Sequence, residues 1–150
     1  VERRTYIHAS PLAVWAALHD PASAVALFPG LVPGPAEPAW PAASATRTVE
    51  VRFGLLRECA RAESLEARPA ARFRMRVTAS GFSADWIWSL DAAMGGGTRV
   101  IHGETFDPFD PWTGILVRLG RGSLADRVEG HLRVLKERAE AGARPPHTVA

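Results

Sequence analysis

The sequence predicts an α+β fold of two layers, a curved antiparallel sheet wrapped around a long C-terminal helix, with two short helices after the first strand. Three observations lead there. From Thr46 to Phe106 most runs alternate apolar and polar residues, with tight turns between them, the pattern of an antiparallel meander covered on one face. From Asp110 to about Ala141 the period changes. Val117, Leu124, Val128 and Leu135 fall near one line of a 3.6-residue helix, with Leu132 beside it. Third, a strand-like start is followed by Ser10-Pro11 and then Asp20-Pro21, two helix-start signals in close succession.

The elements follow in order. Glu2 to His8 alternates, with Thr5 and Ile7 on one face and Tyr6 and His8 on the other. Ser10 caps a helix from Pro11 to His19 that gathers Val14, Trp15 and Leu18 on one side. Asp20-Pro21 ends it and starts a second short helix through Ala26 or Leu27. Pro29 to Ala43 holds Pro29, Pro33, Pro35, Pro38 and Pro41 with Gly30 and Gly34. So many prolines predict a long semi-rigid loop, with Leu31, Val32 and Trp40 as inward anchors. Loops of this length are binding lids or plain surface connections.

Strands are then predicted over Thr46–Phe53, Leu56–Ala67, Arg72–Thr78, Phe82–Leu90 and Thr98–Phe106. The long terminal segment opens with Asp110 as N-cap and Pro111 at the first helical position. Trp112, Ile115, Leu116 and Leu119 make a broad apolar patch, and Arg121, Asp126, Arg127, Arg133, Lys136, Glu137 and Glu140 make a solvated face. Gly120, Gly122 and Ser123 mark a kink or break, because each glycine costs about 1 kcal/mol against alanine inside a helix. Residues 1–142 read as one domain and 143–150 as a flexible tail.

Composition sets the remaining bounds. The chain has 150 residues, enough for a real core, and no apolar run long enough to span a bilayer. Stable membrane insertion is therefore not expected. A net charge of +2 gives little drive toward nucleic acid. Arg52, Arg72, Arg74 and Arg76 share the outer sheet face, but Glu50, Glu58, Glu63 and Glu66 lie on neighbouring strands and can pair with them. The first residues alternate without the apolar stretch of a secretory leader, and Cys59 is alone, so a cytoplasmic location is expected.

The order of elements, together with the stretch Ile7-His8-Ala9-Ser10-Pro11-Leu12-Ala13-Val14-Trp15-Ala16-Ala17-Leu18-His19-Asp20-Pro21, resembles the START-like (SRPBCC) superfamily. These are helix-grip proteins that include polyketide cyclase/dehydrase-like and lipid-transfer-like members. Gly97-Thr98-Arg99-Val100 before the last strand is similar as well. The resemblance covers essentially the whole chain and implies a cavity between sheet and helix. Relatives have six strands between the short helices and the long one; five are counted here, with the proline-rich loop in place of the sixth.

Alternation assigns the candidate site. Ala84, Trp86, Trp88 and Leu90 share one face of their strand; Val100, His102, Glu104 and Phe106 share one face of the next. These faces carry the bulky residues and are expected to point inward. His102 and Glu104 then sit beside Trp86 and Trp88, as aromatic walls with a few orienting polar groups. Trp15, Phe106 and Trp112 are expected to close this space, Met75 and Leu116 to line it, and Trp40 to lie near its mouth. The leading reading is a binder of a hydrophobic or aromatic small molecule. The alternative is a polyketide cyclase or dehydratase using His102 and Glu104 as acid and base. A weaker one is an interaction module using the arginine stripe. His8, His19, His102, His131 and His147 are scattered without metal-ligand spacing, so neither metal nor cofactor is expected.

An amphipathic helix cannot bury its stripe alone, so the terminal segment should be part of the core. A chain ended at Asp110 should be insoluble or lack a cooperative unfolding transition by circular dichroism. Cooperative unfolding at an unchanged temperature would refute this architecture.

Overall fold

The structure, a computed structural model, describes residues 1–20, 31–53, 56–119 and 121–143. Its elements are β1 (Glu2–Ile7), α1 (Pro11–His19), β2 (Leu31–Ala36), β3 (Thr46–Phe53), β4 (Leu56–Arg68), β5 (Arg72–Thr78), β6 (Phe82–Ala92), β7 (Thr98–Pro108), α2 (Pro111–Leu119) and α3 (Arg121–Ala143). The strands form one antiparallel sheet in the order β1-β7-β6-β5-β4-β3-β2. The chain thus runs a meander from β2 to β7 and brings β1 to the free edge of β7. The long helix packs on β1, β7 and α1, giving the curved-sheet, helix-gripping architecture expected from the sequence.

Local chemistry explains the boundaries. Ser10 Oγ accepts the Ala13 amide at 3.2 Å, and Pro11 opens α1. Asp110 accepts the Thr113 amide at 2.8 Å and the Thr113 hydroxyl at 2.7 Å, which caps α2. Gly97 lies so close to β1 that a Cβ there would stand 2.0 Å from Tyr6 Oη and 2.9 Å from the Ile7 carbonyl oxygen. The register slips between Ser64 and Glu66 where β4 meets β5, and such bulges bend a sheet. Ser64 is buried at this bend, donating from its hydroxyl to the Pro41 carbonyl at 2.6 Å and from its amide to Ala45 at 2.9 Å.

Two expectations, the unstructured proline-rich loop and the count of five strands, are corrected. The proline-rich segment is not wholly a loop, because Leu31–Ala36 forms β2, which pairs with β3. Pro33 and Pro35 are tolerated there because β2 is the edge strand and its register slips between Pro33 and Ala36. Among the described residues six strands therefore separate α1 from α2, as in the relatives of the resemblance. The helix expected over Pro21 to Leu27 and the anchoring side chains of Leu31 and Val32 lie outside the described residues, as does the tail from 144; Ala143 itself is helical. The outer-face arginines find an expected partner in Glu66 and a further one in Asp85. Arg74 and Arg76 both pair with Asp85 of β6, at 2.5 and 2.6 Å, and Arg72 pairs with Glu66 at 3.1 Å. Exposed pairs of this kind add little stability; they do balance the stripe's charge.

The core lies between sheet and α3. Ile7, Val14, Val77, Trp88, Val100, Val128 and Leu135 are among its fully buried side chains. On the outer side, Lys136 Nζ donates to the Tyr6 carbonyl at 2.6 Å and the His8 amide donates to Glu140 at 2.9 Å, tying α3 to the end of β1. Among the described residues no helix is long and apolar enough to cross a membrane. The terminal segment divides sharply in burial. Leu135 is 0% exposed and Leu119 is 81% exposed. Leu135→Ala should therefore cost about 2–5 kcal/mol in urea unfolding, and Leu119→Ala within about 0.5 kcal/mol of nothing. Equal costs would contradict this packing.

Candidate functional site

The site is built where β6 and β7 lie under α3. In the ladder Trp86 stands opposite Glu104 and Trp88 opposite His102. Alternation sends all four inward, as the sequence predicted, with His102 0% and Glu104 2% exposed. The Trp88 and His102 rings stack with centroids 3.6 Å apart and planes 8° from parallel. His102 Nδ1 lies 3.0 Å from the Ile87 carbonyl oxygen. A carbonyl only accepts, so Nδ1 carries the proton and donates it. Nε2 is thereby turned toward Glu104 Oε1, 3.2 Å away.

Two further residues come from α3. His131 is fully buried, with Nδ1 3.3 Å from His102 Nε2 and 3.3 Å from Glu104 Oε1. Arg127 pairs through Nη2 with the other carboxylate oxygen, Glu104 Oε2, and its guanidinium lies over Trp86 at 5.6 Å and over Phe106 at 5.3 Å. Burial alone would push the Glu104 carboxyl up; contacts from His102 and His131 and the Arg127 charge overcome it and hold the carboxyl well below the usual carboxylate range. Burial pushes the His131 imidazole down, against the pull of Glu104. A carboxyl held so low stays ionised and is a weak base. Its natural use is to orient imidazoles and balance charge.

Neither α3 residue was singled out from the sequence. Arg127 was placed on the solvated face, and this is corrected, since its side chain reaches under the helix to a buried carboxylate. His131 was counted among scattered histidines. A signal was available, because Leu124, Val128, His131 and Leu135 follow the spacing of the buried stripe. What the spacing does not contain is the strand residue opposite.

The other expected site residues divide. Met75 is buried opposite Trp86. Phe106 is half-buried beside Phe82, with centroids 5.9 Å apart. Trp15 and Trp40 gather instead around Phe73, at 6.3 and 6.0 Å, with His19 at 4.7 Å from the same ring. Phe73 stands opposite Trp88 in the ladder, so this second group continues the aromatic surface. Trp112 and Leu116 do not close the space; Trp112 is 67% exposed and Leu116 is exposed as well. The side of α2 that meets the body carries Thr113, Gly114 and Val117, and the Asp110 cap holds it there. The apolar stripe of α2 is exposed where that of α3 is buried.

The profile of the family described as polyketide cyclase/dehydrase and lipid transport matches residues 1–140. The chain belongs to this family. A comparison of the sequence with curated proteins gives no match. Among solved structures, protein TTHA0849 of Thermus thermophilus is similar with a TM-score of 0.74 and 22% identity, over 96% of this chain and 99% of that one. The ZhuI aromatase/cyclase of Streptomyces sp. R1128 has a TM-score of 0.77 at 14% identity, over 98% and 96%. The di-domain aromatase/cyclase StfQ of the steffimycin biosynthetic pathway has a TM-score of 0.75 at 13% identity, over 95% of this chain and 51% of that one. At such identities the likeness is one of fold. For this polyketide cyclase/dehydrase family member, the family supports a hydrophobic-ligand or cyclase role.

His19 carries a pH signature of the second aromatic group. Burial lowers its pKa from 6.5 to about 4. Between these values the unfolded chain binds a proton that the folded chain refuses, so stability is full above the unfolded value and falls as the pH drops toward 4. The loss should reach about 3 kcal/mol at most. Urea unfolding of wild type and His19→Phe at neutral and acid pH should show a shallower acid loss in the variant; identical pH slopes would refute it.

Proposed function

We propose that the protein binds a flat hydrophobic or aromatic small molecule, lipid- or polyketide-like, between the sheet and α3. The observation that carries this reading is the composition of the inner face. An aromatic surface runs from Trp40 through Phe73 and Trp88 to Trp86 and Phe106, and it ends at Arg127, whose side chain is 19% exposed. Apolar walls with a few polar groups at one end suit a ring system bearing an oxygen function. Trp88 Nε1 supports it further, as a buried N–H with no acceptor among the described residues. The exposed apolar side chains of Phe109, Trp112, Ile115 and Leu116 flank the Phe82–Phe106 end and suit an entrance for such a molecule.

A cyclase or dehydratase is the second reading, favoured by the buried imidazoles beside this surface. In it His102 moves the proton and Glu104 orients the ring.

An anthraquinone carboxylate serves as a probe, with tryptophan quenching as the readout. Binding should be saturable, and Trp88→Phe should weaken it about tenfold through the lost N–H and contact area. No saturable quenching in cooperatively folded protein would refute the binding reading. Glu104→Gln separates the two readings. A binder changes affinity modestly and turns nothing over, whereas a cyclase keeps binding and loses rate by about a hundredfold or more.

A further inference from the structure

We propose that His102 Nε2, Glu104 Oε1 and His131 Nδ1 form a binding site for one divalent transition-metal ion of the Zn2+ class. The three atoms make a nearly equilateral triangle, with sides of 3.2, 3.3 and 3.3 Å. Donors about 2.0–2.1 Å from a common ion at the tetrahedral angle stand about 3.3 Å apart. The triangle thus matches one face of a tetrahedron, and the ion would sit just off its plane. Two imidazoles and a carboxylate are also the donor set of three-ligand zinc sites that keep a fourth position open.

Proton counting points the same way. The Ile87 carbonyl holds the His102 proton on Nδ1, so the neutral ring offers only a lone pair at Nε2. Glu104 Oε1 offers lone pairs too. Neutral imidazoles bring at most a single proton, on His131 Nδ1, to three short contacts among three acceptors. An ion at the centre satisfies all three together. The rival occupant is a second proton on His102.

The surroundings fit a metal centre. A carbonyl that fixes the tautomer of a ligating histidine is the usual outer partner of such a ligand. Arg127 takes Glu104 Oε2 and leaves Oε1 for the ion. Trp88 stacks on His102 and holds the ring in plane. A dication beside Arg127 exceeds the single carboxylate charge, so the fourth donor should be an anionic oxygen, either hydroxide or an acidic group of a bound molecule. This inference stands apart from the binding of a hydrophobic molecule and does not need it.

The test uses the full chain, treated with chelator, desalted and titrated with Co2+. A single equivalent should give the visible absorption of four-coordinate Co2+, and Zn2+ should displace it. His131→Leu, an apolar residue in an apolar stripe, should weaken Co2+ binding by more than about tenfold and remove the band. His8→Ala, at an exposed position just past the end of β1, should change neither. Absence of the band in cooperatively folded wild type would overturn the proposal, as would a folded His131→Leu protein with the wild-type spectrum. If His131→Leu does not fold, histidine-ring NMR of the wild type decides. Zn2+ must shift the His102 and His131 signals, and shifts confined to other histidines would overturn the site.

Discussion

The structure depends on a charge that has been taken out of water. Glu104 points into the core from the middle of β7, and a carboxylate there must be matched. Removing one partner of a buried pair typically costs roughly 3–5 kcal/mol. Its matches come from α3, in Arg127 and His131. The interaction therefore sets how α3 lies on the sheet. A rotation of the helix by one residue would turn polar residues such as Glu129 and Lys136 toward the sheet and would strand Glu104 without its cation. Hydrophobic burial and the polar cluster therefore select the same arrangement.

Around that cluster the sheet supplies rigidity and shape. The ladder places Trp88 against His102 and Trp86 against Glu104, so each polar residue has an aromatic neighbour at fixed height. The backbone of Glu104 is also held at the sheet edge. Its amide donates to the Val1 carbonyl at 2.8 Å, and the Val1 amino group donates to its carbonyl at 2.8 Å. Irregular registers in β4–β5 and β2–β3 bend the far side, and the Ser64 hydroxyl fastens the loop before β3 to the bend. The result is a stiff polar centre with an aromatic surface spreading from it.

The terminal segment shows how one amphipathic pattern divides. Upstream of residue 120 the apolar stripe faces solvent, and downstream it is core. Helix α2 answers to its cap and to its contacts with β7, whereas α3 answers to the sheet and to α1. Exposed aromatic and aliphatic side chains on a capped, short helix are available for contact in a way that core residues are not.

Much of this was legible in the residues alone. Period-two alternation in β6 and β7 determined that Trp86, Trp88, His102 and Glu104 share the inner face, because a strand leaves no other choice once its bulky side is known. Ser10-Pro11 and Asp110-Pro111 determined two helix starts, because capping is local chemistry. Tertiary structure alone decided the rest. Proline argued against β2, yet an edge position excuses it. Trp112 had the composition of a wall and is exposed, since hydrophobicity does not say which side of a short helix meets the body. Arg127 and His131 lie 23 and 29 residues from Glu104 and His102, and no local rule spans that gap. Their convergence is set by where α3 crosses β7 and how it is turned about its axis, a property of packing that sequence spacing does not encode.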